Sequence, residues 1–204
     1  MIKSLIFDLG GVIVPLDFER GYREISSCSP YPPEELRRRL AATDLYVRAE
    51  TGAIAPDAFY HEMSRLLDLS ADEAAFQRIW CSIFLPNTLI EDELIGLLHK
   101  RYRILLLSNT NQIHFEWIRE NYPILRHFDD FVVSYKVGHM KPAPEIYREA
   151  VRKAGCSPQQ CFYTDDVAIN VEGARNAGLD AAPFVNCEQL RADLAARDVE
   201  LAAT

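Results

Sequence analysis

Five short apolar runs are spaced along the chain, and polar or glycine-containing segments bound each of them. They cover residues 4–9, 103–108, 131–134, 161–165 and 181–185. Short apolar runs without polar alternation are typical of strands that are buried on both faces. Helical patterns such as PEIYREAVRKAG separate the last four runs. Strands that alternate with helices predict βαβ units and a parallel sheet, which is an α/β fold.

The region between the first two runs carries helical periodicity and little strand pattern. Pro33, followed by Glu34 and Glu35, predicts a helix start, because proline fits the first turn and acids favour the positive end of the helix dipole. The segment SADE at 70–73 resembles a capping box before a further helix. We therefore predict a core of residues 1–14 and 89–204, with a helical insertion of residues 15–88.

Composition and charge favour a globular protein and disfavour a nucleic-acid-binding or membrane-spanning one. The chain is 49% hydrophobic and 25% charged, as expected for a globular protein with a buried core. Its formal charge of −8 disfavours a nucleic-acid partner, and we interpret the basic run LRRRL at 36–40 as a solvated helix face. No apolar stretch approaches about 18 residues, so we expect no membrane span. Five cysteines without C-x-x-C spacing predict free thiols and a cytoplasmic protein.

Polar residues follow the predicted strands at the points where those strands end. In an open parallel sheet, ligands bind at the carboxyl ends of the strands. Each polar residue taken alone is explained by capping, a turn or a solvated loop, but adjacent carboxylates repel each other and suggest a bound cation. Together they predict one polar site, formed by Asp8, Ser108, Asn109, Lys141, Asp165 and Asp166.

Four motifs contain these residues: FDLGGV at 7–12, LLSNTN at 106–111, KPAPEIY at 141–147 and FYTDD at 162–166. As a set they resemble the motifs of the haloacid dehalogenase-like hydrolase superfamily, and the resemblance covers nearly the whole chain. Within it the sequence is most similar to small bacterial phosphatases of hexose 1-phosphates and to the phosphatase domain of soluble epoxide hydrolase. The resemblance implies a Rossmann-like three-layer core with strand order 5-4-1-2-3 and a helical cap after strand one.

The resemblance also implies a role for each residue that would contact phosphate. Asp8 would be the nucleophile that forms an aspartyl-phosphate. Ser108 and Asn109 would hold the phosphoryl oxygens, and Lys141 would neutralise charge on the phosphate and on Asp8. Independently of the resemblance, an anionic nucleophile is repelled by a phosphate dianion, so cations are needed between them.

The implied cofactor is Mg²⁺, which prefers hard oxygen ligands and needs only one or two carboxylates from the protein. It would bind the carboxylates of Asp8 and Asp166 and the carbonyl of Gly10. Asp165 matches a position that is another acidic ligand in some family members. Asn170 matches a position that often holds a supporting acid.

The sequence departs from the family pattern at Gly10, where the usual phosphatases carry a second aspartate that acts as general acid. Such catalysis contributes about 10²–10⁴-fold. One hypothesis is that another group replaces it, with Asp17 as the first candidate and His114 and His139 behind it. A second is a haloacid dehalogenase, which needs neither a proton donor nor a metal. A third is an inactive relative that binds a phosphorylated ligand or a protein partner.

We favour the first hypothesis: a Mg²⁺-dependent hydrolase of a small phosphorylated metabolite, for which a hexose 1-phosphate is the named candidate. An anomeric phosphate is a better leaving group than a simple alkyl phosphate and needs less protonation. Whether the protein is a monomer or a dimer stays open. A pocket in the cap would select the substrate, and Glu50 or Tyr46 could hydrogen-bond sugar hydroxyls. Its predicted lining is Asp17, Phe18, Tyr46, Glu50 and Trp80.

Overall fold

The computed structural model of the protein describes residues 1–201. The strands are β1 (Ser4–Phe7), β2 (Arg103–Ser108), β3 (Asp130–Val133), β4 (Cys161–Asp165) and β5 (Asp180–Pro183). The helices are α1 (Phe18–Ser26), α2 (Pro33–Ala41), α3 (Leu45–Glu50), α4 (Pro56–Leu67), α5 (Glu73–Trp80), α6 (Asp92–His99), α7 (Gln112–Asn121), α8 (Ser134–Val137), α9 (Pro144–Ala154), α10 (Ala168–Asn176) and α11 (Cys187–Ala195). Short 3₁₀ turns lie at Cys81–Ile83, Pro123–His127 and Pro158–Gln160.

The five strands form one parallel sheet. β1 lies at its centre, between β2 and β4, while β3 and β5 form the two edges. The order β3-β2-β1-β4-β5 is the predicted order read from the other edge, so the predicted fold class is confirmed. The predicted strand over 4–9 ends earlier, at Phe7. Asp8 is therefore the first residue beyond the central strand.

Both faces of the sheet are covered, which explains why the strand sequences are almost entirely apolar. Leu5 and Phe7 belong to one apolar cluster, whereas Ile6, between them, belongs to a cluster on the opposite face. Leu106 and Leu107 divide between the same two clusters. This alternation gives the helix–sheet–helix layering of a Rossmann-like core.

Helices α1 to α5, called here the inserted helices, lie between β1 and β2 in the chain. Leu36, Phe59 and Phe76 are buried among them. The chain enters and leaves this region along one path, because Asp17 N donates to the carbonyl of Ile83 at 2.8 Å. These helices therefore connect to the core through two adjacent chain segments, consistent with the predicted insertion, whose boundaries at 15 and 88 stay a prediction.

The predicted start of α2 at Pro33 is confirmed. The capping box predicted for 70–73 is wrong: Asp72 caps α5, and its carboxylate accepts a 2.8 Å hydrogen bond from Ala75 N. The basic run 36–40 is a solvated helix face in which Arg38 and Arg39 pair with Glu35. The five cysteines are free thiols, as predicted. Within residues 1–201, no helix combines the length and apolar character required to cross a membrane.

Candidate active site

Asp8 stands at the centre of the carboxyl edge of the sheet. Its backbone N–H donates to the carbonyl of Thr164 on β4 at 3.0 Å, which continues the parallel pairing one residue beyond β1. Its Oδ1 accepts a 2.7 Å hydrogen bond from Leu9 N. Burial raises the pKa of Asp8 to about 7, the Lys141 charge opposes this rise, and the Asp165 charge adds to it. The ionised form of Asp8 therefore depends on nearby cations.

Lys141 supplies the nearest cation and is itself buried. Its Nζ lies 2.8 Å from Asp8 Oδ1 and 2.6 Å from Asp165 Oδ2. The third ammonium proton goes to the carbonyl of Leu107, at 3.2 Å. Burial alone would lower the pKa of Lys141, but the charges of Asp8 and Asp165 outweigh burial and raise it. Lys141 is therefore a fixed positive charge between two carboxylates.

Asn109 fixes the backbone that carries Lys141. Its Oδ1 accepts from Lys141 N at 2.7 Å, and its Nδ2 donates to the Lys141 carbonyl at 3.0 Å. The side chain predicted to hold phosphate is therefore occupied in positioning the lysine. Ser108 ends β2 and is buried, and its hydroxyl makes a 3.2 Å contact with the Asn109 carbonyl. The predicted phosphate contacts of Ser108 and Asn109 stay predictions.

Asp165 is fully buried at the end of β4, and hydrogen-bond donors surround its carboxylate. Besides Lys141, it accepts from Tyr163 Oη and from Val167 N, the latter at 2.8 Å. Asn170 Nδ2 lies 3.2 Å from both of its oxygens, and that Asn170 occupies the place of a supporting acid stays a prediction. Burial would raise the pKa of Asp165, but Lys141 and these donors hold it below its ordinary value. Asp165 thus acts geometrically as the anchor of Lys141.

Asp166 differs from Asp165 in that it is exposed and forms no ion pair with any residue in 1–201. Although the residue is exposed, partial burial of its carboxyl, and then the charge of Asp165, raise the pKa of Asp166. Ligand oxygens of Asp8, Asp165 and Asp166 lie within 4.8 Å of one another. Gly11, with φ of 77°, has no room for a side chain because a Cβ would overlap the Asp166 carboxylate. Clustered hard oxygens that repel one another fit a bound Mg²⁺.

Gly10 brings its backbone, and no side chain, to the loop after Asp8. It pairs with Val14 in an isolated bridge, and a Cβ on it would lie 2.8 Å from Leu16 Cδ1. The side chain of Leu16 therefore fills the space beside the position where the usual family members carry their second aspartate. That the Gly10 carbonyl binds the metal stays a prediction.

The three predicted substitutes for the missing acid have other partners. Asp17 is the N-cap of α1, and its Oδ1 accepts from Arg20 N at 2.8 Å. His139 is exposed, and its Nδ1 lies 4.0 Å from a Glu145 oxygen. His114 is buried between Trp80 and Phe84.

His114 is held in one neutral tautomer. Asn111 Nδ2, which can only donate, lies 3.1 Å from His114 Nδ1, so the ring proton is on Nε2 and is donated to the Trp80 carbonyl at 3.1 Å. Burial lowers the pKa of His114 to about 4. An imidazole that is neutral and fully bonded at pH 7 is not placed to donate a proton to a substrate.

Glu50 is a buried acidic residue of the inserted helices, with 3% of its surface exposed. It ends α3, and the Tyr46 hydroxyl lies next to its carboxylate. Burial raises the pKa of Glu50 to about 7, while Tyr46 and the charge of Lys141 lower it. Its carboxyl is therefore within electrostatic reach of Lys141 at the carboxyl edge of the sheet.

A cavity of about 340 Å³ lies among the inserted helices. Three of the five predicted lining residues, Phe18, Tyr46 and Trp80, line it, whereas Asp17 and Glu50 do not. Most of its wall is apolar, with His114 as a lining residue from the core. The other apolar or aromatic lining residues include Tyr22, Ile25, Leu40, Phe59, Met63 and Ile83.

Comparisons with known proteins agree with this geometry. Residues 2–178 match the haloacid dehalogenase-like hydrolase family. The D-ribitol-5-phosphate phosphatase of Bacteroides thetaiotaomicron is 26% identical over 200 residues, covering 95% of this chain and 97% of the relative. The phosphorylated carbohydrates phosphatase of Thermotoga maritima is 25% identical, covering 88% of this chain and 83% of the relative.

A solved structure gives the same fold. The haloacid dehalogenase-like enzyme bt-2542 of Bacteroides thetaiotaomicron, in complex with magnesium and inorganic phosphate, superposes with a TM-score of 0.84. The two sequences are 26% identical, and the alignment covers 91% of this chain and 96% of that chain. The predicted family, fold class and enzyme class are confirmed: the chain belongs to the haloacid dehalogenase-like hydrolases.

Proposed function

We propose that the protein is a Mg²⁺-dependent phosphomonoester hydrolase that acts through an aspartyl-phosphate on Asp8, with a small phosphorylated metabolite as substrate. One observation carries the proposal: the carboxylates of Asp8, Asp165 and Asp166 converge within 4.8 Å while Lys141 Nζ lies 2.8 Å from Asp8 Oδ1. Phosphoryl transfer requires little beyond such positioning and charge neutralisation. The named relatives support the same reaction class.

Asp8 attacks phosphorus with the oxygen that is not held by Leu9 and Lys141, forming an Asp8–phosphorus bond as the ester bond breaks. Lys141 favours the ionised form of Asp8 and offsets the charge of the incoming phosphoryl group. Asp165 and Asn109 hold Lys141 in position from its two ends. Mg²⁺, held by Asp8 and Asp166, would neutralise the phosphoryl oxygens. Water then hydrolyses the acyl phosphate, which restores Asp8 and releases phosphate.

The two other hypotheses receive less support. A dehalogenase needs no metal, and the exposed carboxylate of Asp166, which has no ion pair within residues 1–201, would then repel Asp8 without a function. An inactive binding protein would have no need to keep a buried lysine in contact with Asp8. Gly10 is the one position that favours either of them.

We infer that residues 15–88 act as the cap and that the organic part of the substrate lies against them. A hexose 1-phosphate remains a candidate because its leaving group tolerates weak acid catalysis. The relatives named for ribitol 5-phosphate and phosphorylated carbohydrates also favour a polyol or sugar. The apolar lining of the 340 Å³ cavity favours a phosphate ester whose alcohol also contains apolar groups.

A phosphate-release assay over sugar, polyol and alkyl phosphates tests this function. We expect release that requires Mg²⁺, stops with a chelator, and falls at least about 10³-fold in Asp8→Asn. Asp68→Asn is the matched control, because Asp68 is exposed and its φ of 50° is one that asparagine readily adopts. Release that persists in Asp8→Asn, or that is indifferent to a chelator, would refute the proposal.

A further inference from the structure

The replacement of the usual acid by Gly10 leaves the ester oxygen without its expected proton donor. The buried carboxylic residues of the described chain are Asp8, Glu50 and Asp165. Asp8 and Asp165 both contact Lys141: Asp8 is the proposed nucleophile, and the pKa of Asp165 is held below its ordinary value, so neither is available as the proton donor. Glu50 has only 3% of its surface exposed, and it forms no ion pair with any residue from 1 to 201. A buried carboxyl without a cation is costly in its ionised form and therefore favours its protonated form.

The backbone fixes Glu50 against the core. α3 packs against α8, which directly follows β3 at the carboxyl edge of the sheet. Gly52, two residues after Glu50, has φ of 69°, and a Cβ on it would overlap the carbonyl oxygen of Tyr135. Ser134, at the start of α8, exchanges hydrogen bonds with the backbone of Thr110 at 2.9 and 3.0 Å. The end of α3 thus rests on the loops that form the catalytic edge.

The groups around Glu50 set its proton affinity. Tyr46, one turn earlier on α3, has its hydroxyl beside the carboxyl, and Tyr22 of α1 is near that hydroxyl. From the core, Lys141 is the charged group that acts on Glu50. Burial outweighs the effects of Tyr46 and Lys141, which lower the pKa of Glu50, and raises this pKa to about 7. A general acid and base is most effective when its pKa lies near the working pH.

The other acids of the region are already engaged. Asp17 caps α1, and the two ring nitrogens of His114 are bonded to Asn111 and Trp80. Tyr46 is 43% exposed as a residue and lines the 340 Å³ cavity, while its hydroxyl lies beside Glu50. Glu50 therefore lies beside a residue that lines the cavity and within electrostatic reach of Lys141.

We propose, on the basis of the phosphatase function proposed above, that Glu50 is the proton donor and acceptor that replaces the aspartate missing at position 10. As the Asp8–phosphorus bond forms and the ester bond breaks, the Glu50 carboxyl gives its proton to the departing ester oxygen. The alcohol leaves neutral, and Glu50 becomes a carboxylate. Glu50 then accepts a proton from the water that attacks the aspartyl-phosphate, which releases phosphate and restores the starting protonation.

The test compares Glu50→Gln with the wild type on two esters that differ in leaving group. A simple alkyl phosphate needs protonation of its oxygen, whereas 4-nitrophenyl phosphate releases a stabilised phenolate. We expect kcat/KM for the alkyl ester to fall about 10²–10⁴-fold in Glu50→Gln. For 4-nitrophenyl phosphate, kcat/KM should fall less than about tenfold, because kcat/KM reports only the steps through enzyme phosphorylation. Mixing the variant with that ester should also give a burst of 4-nitrophenolate, since water attack is slowed.

Two further variants sharpen this test. Glu188→Gln, on the exposed surface of α11, is the matched control and should lose activity on neither ester. Asp17→Asn keeps a residue that caps helices equally well and removes the competing carboxylate. Equal losses on both esters in Glu50→Gln would show a structural role only and refute the proposal. The proposal would also be refuted if Asp17→Asn, and not Glu50→Gln, selectively lowered kcat/KM on the alkyl ester.

The pH profile gives a second readout. Because Glu50 must be protonated for the first step, kcat/KM on the alkyl ester at saturating Mg²⁺, which favours the ionised form of Asp8, should fall as pH rises through about 7. Tyr46→Phe removes a group that lowers the pKa of Glu50, so this fall should move to higher pH. Glu50→Gln should abolish it, and a fall that remains unchanged in Glu50→Gln would refute the proposal. A wild type that hydrolyses neither ester with Mg²⁺ would instead refute the phosphatase function itself.

Discussion

The side chain of Asn109 binds the backbone of Lys141 on both sides, with Oδ1 2.7 Å from Lys141 N and Nδ2 3.0 Å from the Lys141 carbonyl oxygen. These two residues belong to different loops, one after β2 and one after α8. The pair of hydrogen bonds therefore ties the loops together. It also fixes the backbone from which the Lys141 side chain reaches Asp8.

Asn109→Asp tests this positioning role. The aspartate keeps the acceptor for Lys141 N but faces the Lys141 carbonyl with a second acceptor, so the loop should shift. We expect a loss of about 10²-fold in kcat/KM, the size that follows a small misplacement of a catalytic group. Asn121→Asp is the control, because Asn121 also donates to a carbonyl, that of Trp117, on an exposed helix face. Equal activity of the two variants would contradict the positioning role.

Lys141→Met should destabilise the protein strongly, because it leaves Asp8 and Asp165 buried without their cation. The expected decrease in the free energy of unfolding, measured by denaturant titration in a chelator, is about 3–5 kcal/mol. Asp165→Asn in the same background removes one of the stranded charges. The double variant should therefore be more stable than the sum of the single changes by about 1–3 kcal/mol. Additivity within about 0.5 kcal/mol would argue against the ion-pair network.

His114 predicts a pH dependence of stability. Its pKa is about 4 in the folded protein and about 6.5 in an unfolded chain, so the unfolded state binds the proton more tightly. The contribution is complete above pH 6.5 and is lost as pH falls towards 4. Between pH 7 and 4.5 the wild type should lose about 2–3 kcal/mol more of unfolding free energy than His114→Gln. Parallel stability curves for the two proteins would show that His114 is not buried as a neutral ring.

Leu40→Lys tests whether the cavity receives the organic part of the substrate. The leucine lines the cavity, and a charge there would disfavour an apolar group. We expect KM for a phosphate ester of a large apolar alcohol to rise about tenfold, which corresponds to about 1.4 kcal/mol. Leu89→Lys, at a leucine that is 41% exposed, is the control and should change KM little. If both variants bind the ester as well as the wild type, the cavity is not the substrate pocket.

Much of the fold could be predicted from the sequence because its signals are local. The apolar runs of β1, β2 and β4 mark strands buried on both faces, and Asp8 and Asp165 stand at their ends. Pro33 and the acids after it mark the start of α2. Parallel strands bring their carboxyl ends to one edge, so the convergence of Asp8, Lys141 and Asp165 follows from topology.

The remaining features depend on long-range packing that local patterns do not encode. The phosphate contact of Asn109 stays a prediction, and no local pattern indicates that its amide also binds the backbone of Lys141, 32 residues later. His114 is buried because Trp80 of α5 stacks on it, and the chain itself gives only the Asn111 cap as a hint. Glu50 is an acidic residue at the end of α3, and no local pattern indicates that it is buried together with Leu45 and Ala49. Only the packing of α3 on the core does so.

The most direct test of the account is the site of phosphorylation. The protein is mixed rapidly with Mg²⁺ and 4-nitrophenyl phosphate, quenched in acid, and digested for peptide mass spectrometry; Glu50→Gln is run alongside because it should accumulate the intermediate. We expect one phosphoryl group on the peptide that contains Asp8, absent with a chelator and absent in Asp8→Asn. Turnover with no phosphoryl group on that peptide, or with the group on another residue, would contradict the central claim that Asp8 is the nucleophile.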